Sequence, residues 1–248
     1  MSTVSFGTEM IDLPSKGVFY PENSPLHTGQ VELKYMTARE EDILTSANLI
    51  KKGVVLDKLM DALIVTKGVT HNDFLLGDLN AVMVASRIMG YGKNYPMTVK
   101  CPACGKTQDH VADLSELDTK DVPVDIDLKF TLPLMGKTVK IRFLTRRIEK
   151  DIQHELEQLK KMQSEVDPES STRLRYLICE VDGSTDPKTI RETAESMRVS
   201  DARDLRAFYK SVSPDVSFES KFTCESCNHT GGIPISLGLN FFWPDARV

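Results

Sequence analysis

The chain has 248 residues, 40% of them hydrophobic, and a formal net charge of -5 with five cysteines. This length can bury the core of one large domain or of two small ones. The acidic balance argues against general nucleic-acid binding, which depends on clustered Lys and Arg, and no stretch is apolar over the roughly 18 residues that a membrane span requires. Because the N-terminus also lacks the pattern of a signal peptide, we expect a soluble cytosolic protein whose thiols stay reduced.

Residues 1–30 are predicted to form an extended N-terminal arm and a loop. In "LPSKGVFYP", prolines lie on both sides of Phe19 and Tyr20 and make the segment too stiff for a helix. The stretch "VFYPENSPLHTGQ" is rich in Pro, Asn and Gly, which is typical of a loop. Phe19 and Tyr20 are predicted contacts for a partner protein, because large aromatic side chains often anchor interfaces.

Residues 31–118 are predicted to form a first lobe that ends in a zinc knuckle. Thr37 followed by Glu40 is a capping box and predicts a helix over "TAREEDILTSANLI". "VLDKLMDALIV" has helical spacing of apolar residues, and "GDLNAVMVASRIMGYG" is predicted to be a helix with Asp78 as its N-cap. The alternating segments "YPMTVK" and "HVADL" are predicted strands on either side of "CPACG".

Residues 119–236 are predicted to form a second lobe of helices with a second zinc knuckle. The predicted helices are "TRRIEKDIQHELEQLKKMQSEV", "STRLRYLICEV", "DPKTIRETAESMR" and "SDARDLRAFYKSV". The alternating segments "VSFESKF" and "IPISL" flank "CESCN" as predicted strands. Cys179, inside the apolar run "LRYLICEV", is interpreted as a buried small hydrophobic residue.

Residues 237–248 are predicted to form an aromatic C-terminal tail. It contains Phe241, Phe242 and Trp243, the last being the only tryptophan of the chain. Terminal residues fray unless they are held, so three consecutive aromatic side chains should be covered by something. They either pack on the protein's own core or dock on a partner, and all three are candidate partner-binding residues.

The two CxxC motifs are predicted to hold one structural zinc ion. The proposed ligands are Cys101, Cys104, Cys224 and Cys227. Four thiolates suit a tetrahedral zinc, and a reducing compartment favours a metal over disulfides. Gly105 and Asn228 follow the two motifs and tolerate the positive φ that a knuckle turn requires.

Other interpretations of the cysteines fit less well. A redox-active CxxC opens a helix within a βαβ unit, whereas these two motifs lie between predicted strands. A catalytic zinc needs an open coordination position, which four thiolates close. His110 and His229 lie near enough in sequence to replace a cysteine ligand, but they are expected to face solvent.

The order of elements indicates a diverged tandem duplication. Cys224 follows Cys101 by 123 residues, and aligning the chain with itself at that shift places Asp78 on Asp201. A shift of 108 places "VELKYMTAREED" on "VKIRFLTRRIEK", and "LPSKG" at 13–17 corresponds to "LPLMG" at 132–136. The predicted fold class is therefore α+β, with two pseudo-repeated lobes of helices and short antiparallel strands, joined by a split four-cysteine zinc ribbon.

No pattern in the sequence indicates an enzyme. The histidines are scattered without a catalytic motif, and "GYGKNYP" lacks the spacing of a phosphate-binding loop. We therefore predict a non-enzymatic protein that acts through protein–protein interactions. The alternative is a zinc-ribbon adaptor that binds nucleic acid, but the lysines around the knuckles are offset by nearby acidic residues, which leaves only a weak basic patch.

Several segments resemble the T4-type bacteriophage baseplate hub assembly proteins. They are "LPSKGVFYP", "MTAREEDIL", "LGDLNAVMVASRIMGYG", "YPMTVKCPACG" and the terminal "FFWP". The resemblance covers nearly the whole chain and is most specific for the first lobe and the last of these segments. It implies a protein of the host cytoplasm or of the virion tail baseplate that binds other hub or tail proteins, with no nucleic acid and no membrane. Both a virion component and a transient assembly chaperone are compatible with it.

Overall fold

The computed structural model of the protein describes residues 7–120, 122–123, 125–161 and 168–242. They form an α+β fold in which helices accompany small antiparallel sheets, as predicted. The helices are α1 (Ala38–Thr45), α2 (Ala47–Lys51), α3 (Val55–Leu63), α4 (Leu76–Tyr91), α5 (Arg146–Lys161), α6 (Glu169–Leu177), α7 (Pro187–Ser196), α8 (Val199–Val212) and α9 (Leu239–Phe242). The strands are β1 (Thr8–Asp12), β2 (Gln30–Lys34), β3 (Asn94–Lys100), β4 (Thr107–Asp113), β5 (Lys129–Thr131), β6 (Thr138–Ile141), β7 (Ile178–Val181), β8 (Glu219–Thr223) and β9 (Thr230–Pro234). Within these described ranges, no helix combines the length and the apolar character that crossing a membrane requires.

The chain divides into two compact units. The first comprises the described residues of Met1–His71, Asp78–Lys120 and Asp215–Val248, and the second comprises those of Asn72–Gly77 and Asp121–Pro214. The division near residue 120 lies close to the predicted boundary at 118/119. The second knuckle, however, belongs to the first unit and not to the predicted second lobe, because β8 and β9 share an apolar cluster with β3.

In the first unit, the helices follow local sequence signals. α1 begins with the predicted capping box, in which the Glu40 carboxylate accepts the Thr37 N–H at 2.9 Å. The predicted helix "TAREEDILTSANLI" is divided in two at Ser46, whose backbone is extended with ψ 104°. α3 has the predicted helical spacing and buries Leu59 and Leu63.

In the second unit, a three-stranded antiparallel sheet has β6 at its centre, between β5 and β7. The segment predicted as the helix "STRLRYLICEV" is helical only as far as Leu177, where α6 ends, and its last four residues form β7. Cys179 lies on β7 and is half-buried, with its thiol donating to the Lys140 carbonyl at 3.3 Å. The prediction of a buried Cys179 is therefore wrong, because on this strand the side chain is only half-buried.

Several elements of the structure recur in the same order in the two halves, as the predicted duplication requires. We call residues 8–113 the first repeat and residues 129–236 the second repeat. β2 and the start of α1 match β6 and the start of α5 at a shift of 108, while α4, β3 and β4 match α8, β8 and β9 at a shift of 123. α3 and α6 match at a shift of 114, and the residue after each bridges the equivalent strand: Ile64 bridges Leu33, and Ile178 pairs with Ile141. The predicted insertion around "KKMQSEVDPESS" lies largely outside the described residues.

A buried carboxylate holds the Leu-Pro-x-x-Gly loop in each repeat. Asp78 accepts the Ser15 N–H at 2.9 Å and the Ser15 hydroxyl at 2.6 Å. Asp201 accepts the N–H groups of Leu134 and Met135, both at 3.1 Å. Each aspartate is the third residue of its helix, so the predicted N-cap role is wrong: the carboxylate binds a distant loop instead of its own helix end.

Candidate metal centre

Two β-hairpins of the first unit carry the CxxC motifs. β3 pairs with β4 so that Lys100 lies opposite Thr107, and β8 pairs with β9 so that Thr223 lies opposite Thr230. Each CxxC begins at the residue after the first strand of its hairpin and fills the turn. The alternation of side chains in the flanking segments thus led to the correct placement of both motifs at hairpin tips.

In the first knuckle, backbone hydrogen bonds fold the chain around the cysteine sulfurs. The Cys101 N–H donates to the Lys106 carbonyl at 2.8 Å, and the Gly105 N–H donates to the Cys101 carbonyl at 2.9 Å. Gly105 has φ 71°, in the left-handed region that glycine adopts without strain. The turn brings the two sulfurs of the motif to the same side of the hairpin.

The second knuckle has the same hydrogen bonds. The Cys224 N–H donates to the His229 carbonyl at 2.8 Å, and the Asn228 N–H donates to the Cys224 carbonyl at 2.9 Å. Asn228 takes the left-handed conformation with φ 55°, as predicted, and Asn is among the residues that tolerate it best after glycine. Both tips therefore present their sulfurs in equivalent positions.

The four sulfurs converge on one point. All four lie within 4.8 Å of one another. The sulfur of Cys101 lies 3.8 Å from that of Cys227, and the sulfur of Cys104 lies 3.7 Å from that of Cys224. A tetrahedron with metal–sulfur bonds of about 2.3 Å has sulfur–sulfur edges of about 3.8 Å, so this spacing fits a single tetrahedral ion. It is far too long for a disulfide bond, which measures about 2.05 Å.

The surroundings of the sulfurs are apolar on one side and open on the other. Cys101 and Cys224 are 1% and 0% exposed and pack with Val99, Phe222 and Ile233, one buried cluster built from both hairpins. The second cysteine of each motif is exposed. The apolar cluster holds the buried sulfurs of Cys101 and Cys224 in position, and the turns bring the exposed sulfurs of Cys104 and Cys227 next to them.

The surroundings shift the pKa values of two of the cysteines in opposite directions. The N–H groups of Cys104 and Ala103 lower the pKa of the Cys101 thiol to about 6. The His229 N–H lowers the pKa of Cys227, but desolvation and the other three sulfurs outweigh it and raise that pKa to about 12. The three neighbouring sulfurs oppose ionisation of Cys227, and a divalent cation among the sulfurs would favour its thiolate form.

Two side chains connect the hairpins beside the sulfurs, and sequence reasoning missed both roles. The Gln108 side chain donates to the Thr223 carbonyl at 3.2 Å and accepts the Glu225 N–H at 3.0 Å. His110 lies 2.9 Å from the Ser220 hydroxyl and packs edge-on against Phe222. His110 is thus a contact between hairpins and not the predicted solvent-facing residue. No local signal marks these residues, because their partners lie more than 100 positions away.

The aromatic residues predicted to bind a partner are mostly buried in the first unit. Tyr20 is 8% exposed, and its hydroxyl donates to Asp78 at 2.6 Å. Phe241 and Phe242 are 0% and 1% exposed, while Phe19 is half-buried. The side chains of Tyr20, Phe241 and Phe242 are therefore part of the core and are not available to a partner in this structure, since burying them within the unit already removes their apolar surface from water. Trp243 lies outside the described residues.

A buried arginine holds the C-terminal aromatic residues in place. Arg87 is 0% exposed; its Nε donates to the Phe241 carbonyl and one terminal nitrogen donates to the Gly92 carbonyl, both at 2.9 Å. Burial lowers the pKa of Arg87, and the Tyr91 ring lies 5.1 Å from its guanidinium carbon. An arginine inside the otherwise apolar run of α4 was the one sequence signal that could have indicated this contact.

Comparison with known proteins places the chain in a family. The model of the family described as T4 bacteriophage base plate protein matches residues 8–243, nearly the whole chain. Neither the curated proteins nor the solved structures contain a significant match. The match includes both repeats and both CxxC hairpins, and the chain therefore belongs to the T4 bacteriophage base plate protein family.

Proposed function

We propose that the protein is a non-enzymatic assembly factor for the central hub of the phage tail baseplate, and that it carries one structural zinc ion. Family membership indicates a structural or assembly role in the baseplate, with other baseplate proteins as partners. The hub as its target, the assembly role and the host cytoplasm as its place of action are the proposed refinements. The observation that carries the proposal is the family match over residues 8–243.

The zinc part of the proposal depends on the donor set. The ligands would be the four sulfurs that lie within 4.8 Å of one another, those of Cys101, Cys104, Cys224 and Cys227. Soft thiolates in a tetrahedral arrangement favour zinc, and four of them leave no open position for a substrate or a water molecule. Such an ion would contribute to folding and would not catalyse a reaction, which supports a non-enzymatic role.

A structural ion at this place would hold two hairpins that are 123 residues apart in sequence. Without it, the contacts described between the two hairpins are those of Gln108, of His110 and of the apolar cluster around Phe222. A surface built from both repeats would then depend on the metal. The proposed assembly function would therefore also require the bound metal.

A phage with its copy of this gene deleted tests the proposal. We expect infected cells to accumulate baseplates without a complete hub, and the tagged protein to recover hub or tail proteins in a pull-down analysed by mass spectrometry. Complementation by the wild-type chain and by Cys179→Ser should restore infectious particles, whereas a Cys101→Ser, Cys224→Ser chain should not. Complete baseplates in the absence of the protein would contradict the assembly role.

A further inference from the structure

We infer that the protein associates with further copies of itself, head to tail, through a pairing that the two repeats already make once inside the second unit. In that unit, the segment Phe74–Leu76 of the first repeat pairs with the segment Leu144–Arg146 of the second repeat. The chain also carries a second copy of each segment, and no backbone pairing of these copies is found among the residues that the structure describes. The inference does not depend on the proposed hub function.

The existing pairing is a short antiparallel bridge between Leu75 and Thr145. The Leu76 N–H donates to the Leu144 carbonyl at 3.1 Å, and the Arg146 N–H donates to the Phe74 carbonyl at 2.9 Å. Phe74 and Leu75 are 0% and 5% exposed. We call Phe74–Leu76 the inserting segment and Leu144–Arg146 the receiving segment.

The second repeat has an unused inserting segment. A shift of 123 places Phe74–Leu76 on Met197–Val199, which also immediately precedes and enters its helix. Its backbone is extended at Met197 and at Arg198, as pairing requires. Val199 is 83% exposed, the highest value among the exposed large hydrophobic residues described. In the described structure, neither the Met197 carbonyl nor the Val199 N–H has a hydrogen-bond partner.

The first repeat has an unused receiving segment. A shift of 108 places Leu144–Arg146 on Met36–Ala38, and Thr37 is extended with φ -123° and ψ 175°. Among the residues that the structure describes, the Met36 carbonyl and the Ala38 N–H have no partner. The neighbouring side chain, that of Tyr35, is 40% exposed, whereas the equivalent Phe143 is 7% exposed in the paired repeat.

Charge favours pairing between these two free segments. In the existing pairing, the central inserting residue is Leu75; its equivalent is Arg198, which is exposed. The helix after the receiving segment carries exposed Glu41 and Asp42. Glu149, the equivalent of Glu41, forms an ion pair with Arg173, but the first repeat has Leu59 in place of that arginine. An incoming Arg198 would supply the missing cation.

The occupant of each free segment is therefore a second copy of the chain, since every copy presents one inserting and one receiving segment with matching backbone conformation and opposite charge. Pairing Arg198 of one copy opposite Thr37 of the next reproduces the bond pattern seen between Leu75 and Thr145. Because the two surfaces differ, the contact is heterologous and leaves one free segment at each end of a growing assembly. The contact is small, so weak and concentration-dependent association is expected.

Sedimentation equilibrium of the full chain tests this inference, over about 1 to 500 µM because small interfaces are weak. The average mass should rise with concentration and continue past the dimer. Val199→Glu places a charge in the inserting segment, and Ala38→Pro removes the receiving N–H at a helix position where proline is favoured. Each should weaken association about tenfold, the effect of losing one apolar contact or one hydrogen bond at a small interface. Val111→Glu, at a strand position that is 58% exposed, is the matched control and should leave association unchanged.

Mixing the two variants distinguishes head-to-tail pairing from a symmetric dimer. The Val199→Glu chain keeps its receiving segment and the Ala38→Pro chain keeps its inserting segment, so the mixture should form mainly dimers at concentrations where neither variant alone associates. Circular dichroism of each variant verifies its fold. A chain that remains monomeric over the whole range, a mass that levels at the dimer in the wild type, or variants that associate like the wild type would each overturn the inference.

Discussion

In each repeat, the equivalent buried aspartate binds the Leu-Pro-x-x-Gly loop, but the groups that donate hydrogen bonds to it differ between the two repeats. In the second repeat, both Asp201 oxygens accept backbone N–H groups, those of Leu134 and Met135. In the first repeat, Asp78 accepts one backbone N–H and two hydroxyl groups, those of Ser15 and Tyr20. Burial raises the pKa of Asp78, although the hydrogen bonds from Ser15 and Tyr20 oppose the rise.

This difference shows what the loop inserted in the first repeat does. Residues 18–29 return across the Leu-Pro-x-x-Gly loop, bring the Tyr20 hydroxyl to Asp78 and leave Ser15 2% exposed. In the second repeat, no described segment covers the loop in this way, and Leu134 at the equivalent position is 53% exposed. The Leu-Pro-x-x-Gly loop is thus covered in the first repeat and exposed in the second, while the knuckles of both repeats have the same geometry.

Substitution of the buried cysteine should have the same effect in either knuckle, and this effect should be the largest of those predicted for the protein. Cys101→Ser and Cys224→Ser occupy equivalent buried positions, and each should reduce bound zinc from one ion per chain to none. Structural zinc contributes on the order of 10 kcal/mol to the folding of small domains, so the first unit should lose much of its thermal stability. Elemental analysis and thermal unfolding measure both effects.

Cys179→Ser is the control for these variants, because Cys179 lies on β7 and is not one of the four clustered cysteines, so this variant should bind the proposed zinc ion like the wild type. Full zinc content in either of the knuckle variants would show that the four sulfurs do not form the binding site. A loss in one variant only would show that the two knuckles are not equivalent.

The two loop glycines should respond unequally. Gly17 and Gly136 both have positive φ, 79° and 64°. Alanine in the left-handed region costs about 1 to 2 kcal/mol at either position. A Cβ at Gly17 would also lie 2.3 Å from the His27 carbonyl oxygen, whereas at Gly136 nothing lies within 4 Å. Gly17→Ala should therefore lower the free energy of unfolding by about 4 kcal/mol or more. Urea denaturation of both variants measures the difference, and equal losses would contradict the covering role of the inserted loop.

The two loop aspartates should also differ when each is changed to asparagine. At Asp201 the amide nitrogen would face a backbone N–H, which leaves a buried donor unpaired and costs about 1 to 3 kcal/mol. At Asp78 the amide can donate to the two hydroxyl groups and accept the Ser15 N–H, so Asp78→Asn should cost less than about 1 kcal/mol. The free energies of unfolding in urea compare the two. A larger loss for Asp78→Asn would mean that the hydroxyl groups cannot reorient.

A histidine present only in the first repeat should give the smallest effect, a dependence of stability on pH. Desolvation lowers the pKa of His71, but hydrogen bonds to Asp57 and Asp61 outweigh it and raise the pKa above 6.5. The stabilisation from His71 is therefore fully present below pH 6.5 and is lost as the pH rises through the folded-state pKa. The free energy of unfolding of the wild type should exceed that of His71→Gln by on the order of 1 kcal/mol at low pH, the contribution of a charge-assisted hydrogen bond, and the gap should narrow at high pH.

A difference in the free energy of unfolding between the wild type and His71→Gln that stays constant with pH would contradict a charged His71. The second repeat provides the internal reference, because the positions equivalent to Asp57 and Asp61 are Ser171 and Arg175 and cannot stabilise an imidazolium in this way.

Local patterns in the sequence were sufficient for the elements and for the metal centre. Strand alternation and a CxxC in each turn placed the four cysteines at two hairpin tips, and the capping box at Thr37 placed the start of α1, since both signals act within a few residues. The equal spacing of Asp78 and Asp201 from their cysteines revealed the duplication. Contacts between adjacent residues, or a spacing repeated along the chain, were enough in each case.

Only the tertiary structure determined which segments associate, because that depends on partners far apart in sequence. It assigned the second knuckle to the first unit, directed both aspartates to loops and not to their own helix ends, and buried Phe241 and Phe242, with Arg87 of α4 donating to the Phe241 carbonyl. It also revealed that Val199 is exposed where Leu76 is paired. The sequence by itself determined that there are two copies of one unit; long-range packing decided how each copy is covered, because burial and hydrogen bonding of a segment are fixed by whatever lies across from it.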